Sequence, residues 1–223
     1  MATARNEVMV GLDPVSMPVE WRISNGLVAY EAALAAMDAR AAAVADRIAP
    51  ELVWLLEHPP LYTAGTSAKP EELIAPRFPV HTAGRGGQIT YHGPGQLVAY
   101  LLFDLRRRGL GVRGMVRAIE ASVIDWFDSM GISSYGKPSA PGVYVSAGGV
   151  EAKIAALGLR VRNGCTYHGL ALNVAMDLSP FAAIDPCGYK GLAVTQLKDL
   201  GVTRTVADAG AELAPILAAH LRQ

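Results

Sequence analysis

Two stretches of the chain carry apolar residues at helical spacing. Leu27, Tyr30, Leu34, Met37, Ala41, Val44 and Ile48 alternate by threes and fours, which predicts a helix from a cap at Ser24 or Asn25 to about Ile48, ended by Pro50. Val112, Met115, Val116, Ile119, Val123, Trp126, Phe127 and Met130 predict a second helix over residues 112–130, with Gly131 as its C-terminal cap. Thr205 and Asp208 read as a capping box for a third helix over about residues 205–221, which Pro215 should kink or split. Shorter apolar runs read as strands over residues 8–12, 52–57, 88–92 and 97–105, then 132–135, 142–146, 153–161 and 166–174. Gly148 and Gly149 suit a hairpin turn between two of these. Residues 62–79, with prolines, glycine and charges, read as a surface loop; residues 180–185 read as a helical turn and residues 186–191 as a loop. Helices and strands mix without strict alternation. The expected fold class is therefore α/β of the α+β type, a single domain over residues 1–223 with a mixed sheet flanked by helices.

One stretch obeys neither period. Residues 84–100 read GRGGQITYHGPGQLVAY, and five glycines and one proline fall in its first twelve residues. Glycine lets backbone approach a ligand closely, but it also punctuates ordinary turns, so the stretch is either a ligand-shaped backbone or two tight turns around a buried strand. Composition narrows the function classes. Lys+Arg and Asp+Glu are both 20, so no net field draws nucleic acid. No apolar run approaches the ~20 residues of a membrane span, and the opening residues MATARNEVMVG lack a signal peptide's apolar core, so a cytoplasmic location is expected. The two cysteines, Cys165 and Cys187, are too few for a disulfide framework, and the five histidines are too scattered for a metal site.

Cys187 is the sharpest candidate nucleophile. Pro186 and Gly188 set its thiol on a tight loop with room for an acyl group, whereas Cys165, in a turn before a strand, fits an inert buried thiol. Its base stays open from the residues alone. His92 and His168 sit in two copies of the same tetrapeptide, TYHG, and a Cys–His pair is the ordinary arrangement. Lys153 lies among small and apolar residues, where desolvation would lower its pKa and make it a proton shuttle, or where it snorkels to water. Neither phosphate-loop pattern is matched, although Arg85 among glycines is able to bind a phosphate or carboxylate, which keeps a nucleotide-using enzyme as a rival.

Four segments taken together resemble a known family. RGGQITYHGPGQLVAY (residues 85–100), KIAALGLRV (153–161), TYHGLALNV (166–174) and PCG followed by VTQL (186–188, 194–197) are similar to lipoyl(octanoyl) transferases, in the same order, across residues 9–200. The resemblance implies the catalytic-core fold shared with lipoate– and biotin–protein ligases. It implies transfer of an octanoyl group from octanoyl-acyl carrier protein to a lysine of lipoyl domains, in 2-oxoacid dehydrogenase complexes and the glycine cleavage H protein. This is the first step of endogenous protein lipoylation, with no cofactor, nucleic acid or membrane involved. By motif it makes Cys187 the acyl-thioester nucleophile and Lys153 its partner. It sets Arg85, Gly86, Gly87, Gln88, Ile89, Thr90, Tyr91 and His92 along the substrate, with Ala156, Leu157 and Gly158, and Gly169, Leu170 and Ala171. Gln196 departs from the family, standing where many members have serine. An ATP-dependent lipoate- or biotin-protein ligase on the same fold is the alternative. Arg106, Arg107 and Arg108 are either a docking patch for an acidic carrier protein or a solvated basic turn.

Overall fold

A computed structural model describes residues 19–188 and 191–222, apart from the side chain of Cys187. The strand expected over residues 8–12 lies outside the described residues. Eleven strands and three α-helices are present among them. The strands are β1 (Glu20–Leu27), β2 (Leu52–Glu57), β3 (Leu61–Ala64), β4 (Val80–Thr82), β5 (Ile89–His92) and β6 (Gln96–Leu102), then β7 (Ser134–Gly136), β8 (Gly142–Ala147), β9 (Val150–Arg162), β10 (Cys165–Asn173) and β11 (Ala193–Val194). The helices are α1 (Tyr30–Ala45), α2 (Val112–Ser129) and α3 (Val206–Leu221). The main sheet runs β1-β2-β6-β10-β9-β8-β7, with β11 beside β9, and a small sheet runs β4-β3-β5. Parallel pairs β1–β2 and β9–β11 join antiparallel neighbours, so the main sheet is mixed as expected.

The central strands are continuous apolar runs because both of their faces are covered. On β2 and β6, Val53, Leu55, Leu97, Ala99 and Leu101 face α2 and α3, while Leu52, Trp54, Leu56, Val98, Tyr100 and Leu102 face α1. Helix α2 follows its predicted stripe, burying Met115, Ile119, Val123, Trp126 and Phe127. The capping box of α3 is formed in both directions between Thr205 and Asp208. The helix continues through Pro215 without splitting. No helix among the described residues is long and apolar enough to cross a membrane.

Three expectations fail, each for a tertiary reason. Helix α1 begins at Tyr30, not near Ser24. Residues 20–27 pair with β2 instead, and Ser24 Oγ accepts a hydrogen bond from Trp54 Nε1 at 2.8 Å. Leu27 and Ile48, at the ends of the predicted stripe, are exposed and outside the helix. The supposed loop from residue 62 opens with β3, a strand specified by its partner β5, from Leu61↔His92 to Ala64↔Ile89.

The third concerns the arginines. Arg106 is exposed, but Arg107 and Arg108 turn inward to Glu51, which is 2% exposed. Glu51 Oε2 accepts from Arg108 Nε at 2.9 Å, and Oε1 accepts the Asp104 N–H at 2.9 Å. Arg108 also stacks on Phe103 and donates to the Leu221 carbonyl at the end of α3. Two of the three arginines thus tie the start of β2, the turn after β6 and the last helix together. Removing one partner of a buried ion cluster leaves uncompensated charge, so Glu51→Ala is expected to lower stability by about 3–5 kcal/mol in urea unfolding. Charge reversal at exposed Arg106 should leave the unfolding midpoint unchanged.

Candidate active site

Strand β9 outruns its neighbour. Strand β8 begins at Gly142, opposite Ala156, so the far half of β9 pairs with β10 on one side only. The glycine-rich loop closes the open edge further along, where the Gly86 N–H donates to the Leu159 carbonyl at 3.0 Å. A cavity of about 620 Å³ occupies the gap. Its floor comes from the facing pairs Ala156↔Ala171 and Gly158↔Gly169, which present nothing larger than a methyl group. Val98, Val112, Val116, Leu157 and Leu170 supply apolar walls, and Arg85, Gly86, Gly87, Gln88, Ile89, Thr90 and His92 complete them. Tyr91 is not among the lining residues. Its ring lies in the aromatic cluster of Tyr62, Phe78 and Phe181, with centroids 5.4–5.9 Å apart. The volume is that of an ordinary small-ligand pocket.

Exposed Ser139, Pro141 and Gly188 mark the mouth, and buried Arg85, Tyr100, His92 and His168 the far end. Lys153 stands at the mouth, 4% exposed. Its Nζ donates to the Pro141 carbonyl at 3.2 Å and lies 5.0 Å from the centre of the Tyr144 ring. Gly142 packs on the same side chain with φ of 142°; a Cβ there would come within 3.0 Å of Lys153 Cε and 2.6 Å of the Ala155 carbonyl oxygen. Only glycine fits.

Cys187 belongs to a short 3-10 turn, Pro186–Gly188. The chain is held on both sides of it. Before the turn, Ile184 bridges Leu73 and the Asp185 N–H donates to the Glu72 carbonyl at 2.9 Å. After it, β11 pairs in parallel with β9, Val194 opposite Lys153. Gly188 packs on Gln88 so closely that a Cβ would overlap its amide. Gly188 and Lys153 line the same cavity. Residues that are 35 positions apart in sequence are thereby joined through one strand pairing.

A buried polar chain runs behind the site. His92 Nδ1 contacts Gln96 Oε1 at 2.7 Å; Gln96 Nε2 donates to Asn173 Oδ1 at 2.9 Å; Asn173 Nδ2 donates to the Thr195 carbonyl at 2.9 Å; the Thr195 N–H donates to the Lys153 carbonyl at 3.0 Å. Gln96 Nε2 also donates to the Tyr91 carbonyl, so the Gln96 oxygen must accept from His92. His92 Nε2 is then the acceptor from Thr63 Oγ1 at 3.2 Å, and Thr63 Oγ1 accepts from Arg85 at 2.7 Å. Arg85 further donates to the carbonyls of Thr63 and Gly86, bracing the glycine loop. Gln196 accepts the Met176 N–H at 2.6 Å and donates to Asp199 at 3.0 Å, so its longer side chain is built into this loop. Gln96, Asn173 and Thr63 were not singled out from the sequence. A short polar residue inside an apolar strand, as at Asn173, was the available signal.

The histidines at the far end are held neutral. Burial pushes His92 down to about 3, aided by the charge of His58, and burial with the charges of Arg85 and Arg160 pushes His168 down to about 3. Burial also lowers His58, whose Nδ1 bonds the Val28 carbonyl and whose Nε2 accepts from Tyr100 Oη. His168 adopts φ of 63°, against extended backbone in most of its strand, so the two TYHG copies are not equivalent in space. Cys165 is buried in the α1 core and burial pushes its thiol up to about 11. No group of metal-ligating side chains occurs among the described residues.

These shifts set a pH dependence. A histidine lowered in the folded state, against 6.5 unfolded, leaves stability intact above 6.5 and erodes it as pH falls from 6.5 towards 3. Each should cost about 1.4 kcal/mol per pH unit once well below 6.5. Urea unfolding at pH 7 and pH 5 should show the loss, and imidazole NMR signals of His92 and His168 should stay in the neutral form at both values.

The comparisons with known proteins bear on the family and the fold. The lipoyl protein ligase A/B catalytic domain family matches residues 29–217. An octanoyltransferase of Thiobacillus denitrificans is 58% identical over 182 residues, covering 81% of each chain. One from Nitrosospira multiformis is 55% identical over 175 residues, 78% of this chain and 80% of that one. The fold is similar to a bipartite lipoate protein ligase from Thermoplasma acidophilum, with a TM-score of 0.68 over 92% of this chain and 84% of that chain, at 16% identity. The expected ligase-core fold is present, and the chain belongs to the lipoyl protein ligase A/B catalytic domain family, in its octanoyltransferase branch.

Proposed function

We propose that this protein transfers an octanoyl group from an acyl carrier protein to a lysine of lipoyl domains through a thioester on Cys187. One observation carries the reading: buried Lys153 and Gly188, the last residue of the Pro186–Gly188 turn, line the same largely apolar cavity. The thiolate of Cys187 attacks the carrier thioester carbonyl, an S–C bond forms, and the carrier thiolate leaves. Lys153 supplies the proton that this thiolate takes up. In the second step the acceptor's amine attacks the Cys187 thioester, an amide forms, and the Cys187 thiolate departs. The amine's proton returns to Lys153. No nucleotide is consumed, because the donor thioester already carries the activation.

The cavity supports an acyl substrate. Six methylenes and a methyl leaving water contribute about 0.8 kcal/mol per methylene, near 5 kcal/mol in all. Lys153 and Leu159 both line it and lie six residues apart on β9, which at 3.3 Å per residue spans about 20 Å. The acceptors under this reading are the lipoyl domains of 2-oxoacid dehydrogenase complexes and the glycine cleavage H protein.

Incubation with octanoyl-acyl carrier protein should add one octanoyl group on Cys187, labile to neutral hydroxylamine, by intact mass spectrometry. Cys187→Ala should show no adduct and no transfer. A requirement for ATP and free octanoate would sink the reading in favour of a ligase. Ala156→Leu, which enlarges the floor, should lower kcat/KM for the octanoyl donor by about tenfold more than for a butanoyl donor. An unchanged ratio would place the acyl chain elsewhere.

A further inference from the structure

The peptide unit between Pro141 and Gly142 is held at both of its polar atoms. Its N–H donates to Glu120 Oε1 at 2.8 Å, and its carbonyl accepts from Lys153 Nζ at 3.2 Å. Glu120 reaches it from α2 and is half-buried. Its second oxygen is wedged against Gly136, where a Cβ would stand 3.2 Å away. Burial raises the Glu120 pKa, while the Gly142 N–H and then the charges of Lys153 and Arg117 oppose that rise. Other charged and titratable groups around Lys153 come from several elements. Strand β8 brings Tyr144, and Lys137 lies across the Tyr144 ring at 4.8 Å, paired with Glu151.

We propose that Glu120 is a positioning residue for Lys153. Its carboxylate fixes the Pro141–Gly142 peptide, whose carbonyl holds the Lys153 ammonium at the cavity mouth, and its negative charge favours the protonated lysine. The amide dipole passes the effect along, since a carboxylate on the N–H strengthens the carbonyl as an acceptor. No direct Glu120–Lys153 contact is needed. The proposal rests on the reading of Lys153 as the proton partner of Cys187.

Both are tested on the full chain with octanoyl-acyl carrier protein and a lipoyl-domain acceptor. Steady-state constants and pH profiles are compared for the wild type, Lys153→Ala, Glu120→Ala and Glu120→Gln. Loss of activity in Lys153→Ala is required first; full activity there overturns the reading and the inference together. Given that loss, Glu120→Ala should lower kcat by about tenfold with KM within about twofold. Glu120→Gln keeps an oxygen for the Gly142 N–H and should lose less than about threefold. With the anion gone, its lysine should deprotonate at lower pH, so the basic limb of its pH profile should begin lower. If Lys153→Ala is inactive but Glu120→Ala stays within about twofold of wild type, only the inference falls. Should Glu120→Ala fail to fold, the Glu120→Gln profile decides alone, and an unmoved basic limb overturns the proposal.

Discussion

A buried polar group costs free energy unless it is paired, and that constraint arranges the molecule around one hydrogen-bonded chain. His92, Gln96, Asn173 and Thr195 form it, ending on the backbone of Lys153. Each member comes from a different segment: β5 of the small sheet, β6 and β10 of the main sheet, and the strand end beyond β11. Breaking any link strands a donor or acceptor where water does not reach, at about 1–3 kcal/mol each. The chain therefore couples the position of the glycine-rich stretch to the position of the loop carrying Cys187. Strand β11 is only two residues long, too short to be held by its own pairing. Asn173 supplies the rest by capturing the Thr195 carbonyl.

The cavity arises from an offset between strands, reinforced by small residues. Had β8 extended beyond Gly142, its next residues would have paired with β9 and filled the space where the cavity lies. The positive φ of Gly142 ends the pairing there. Further along, the glycine loop takes over the β9 edge at Leu159, so the exposed stretch is short and bounded at both ends. Ala156, Leu157, Gly158 and Leu159, on this stretch of β9, all line the cavity.

Legibility in the sequence followed locality. Helix α2 was readable from its periodic stripe, and strands β2 and β10 from uninterrupted runs of strand length that are buried on both faces. Strand β1 was not. At the sheet edge it buries little, its polar–apolar alternation lasts only from Glu20 to Ser24, and the neighbouring helical stripe absorbed its end. Strand β3 was hidden by the prolines around it and exists through pairing with β5. At the site, PCG and the glycine stretch stood out by composition and Lys153 only through the family resemblance, and residues of the turn, the lysine and the stretch line one cavity. Tyr91 did not follow its neighbours, because its ring goes to the aromatic cluster, not the cavity. Gln96 and Asn173 were illegible for another reason: their value lies in partners 77 positions apart.

The repeated TYHG motif shows why residue type alone does not assign a base. His92 has both ring nitrogens committed, one to Gln96 and one to Thr63. His168, turned by its positive φ, stacks against Tyr167 at the far end of the cavity. Burial strips both of basicity, and the same burial keeps the far end of the cavity uncharged except for Arg85, whose guanidinium is bonded to Thr63 and Gly86. An apolar acyl tail is best received by such an end, since a bare charge there would have to be desolvated on every binding event. The mouth is the opposite case. Lys153 keeps a carbonyl, an aromatic face and the Glu120 carboxylate nearby, all of which favour an ammonium. Under the proposed reading, charge with proton-transfer partners sits at the mouth, while the Arg85 guanidinium at the far end is tied to Thr63 and Gly86. That separation makes the lysine, not either histidine, the group whose surroundings suit a cysteine partner.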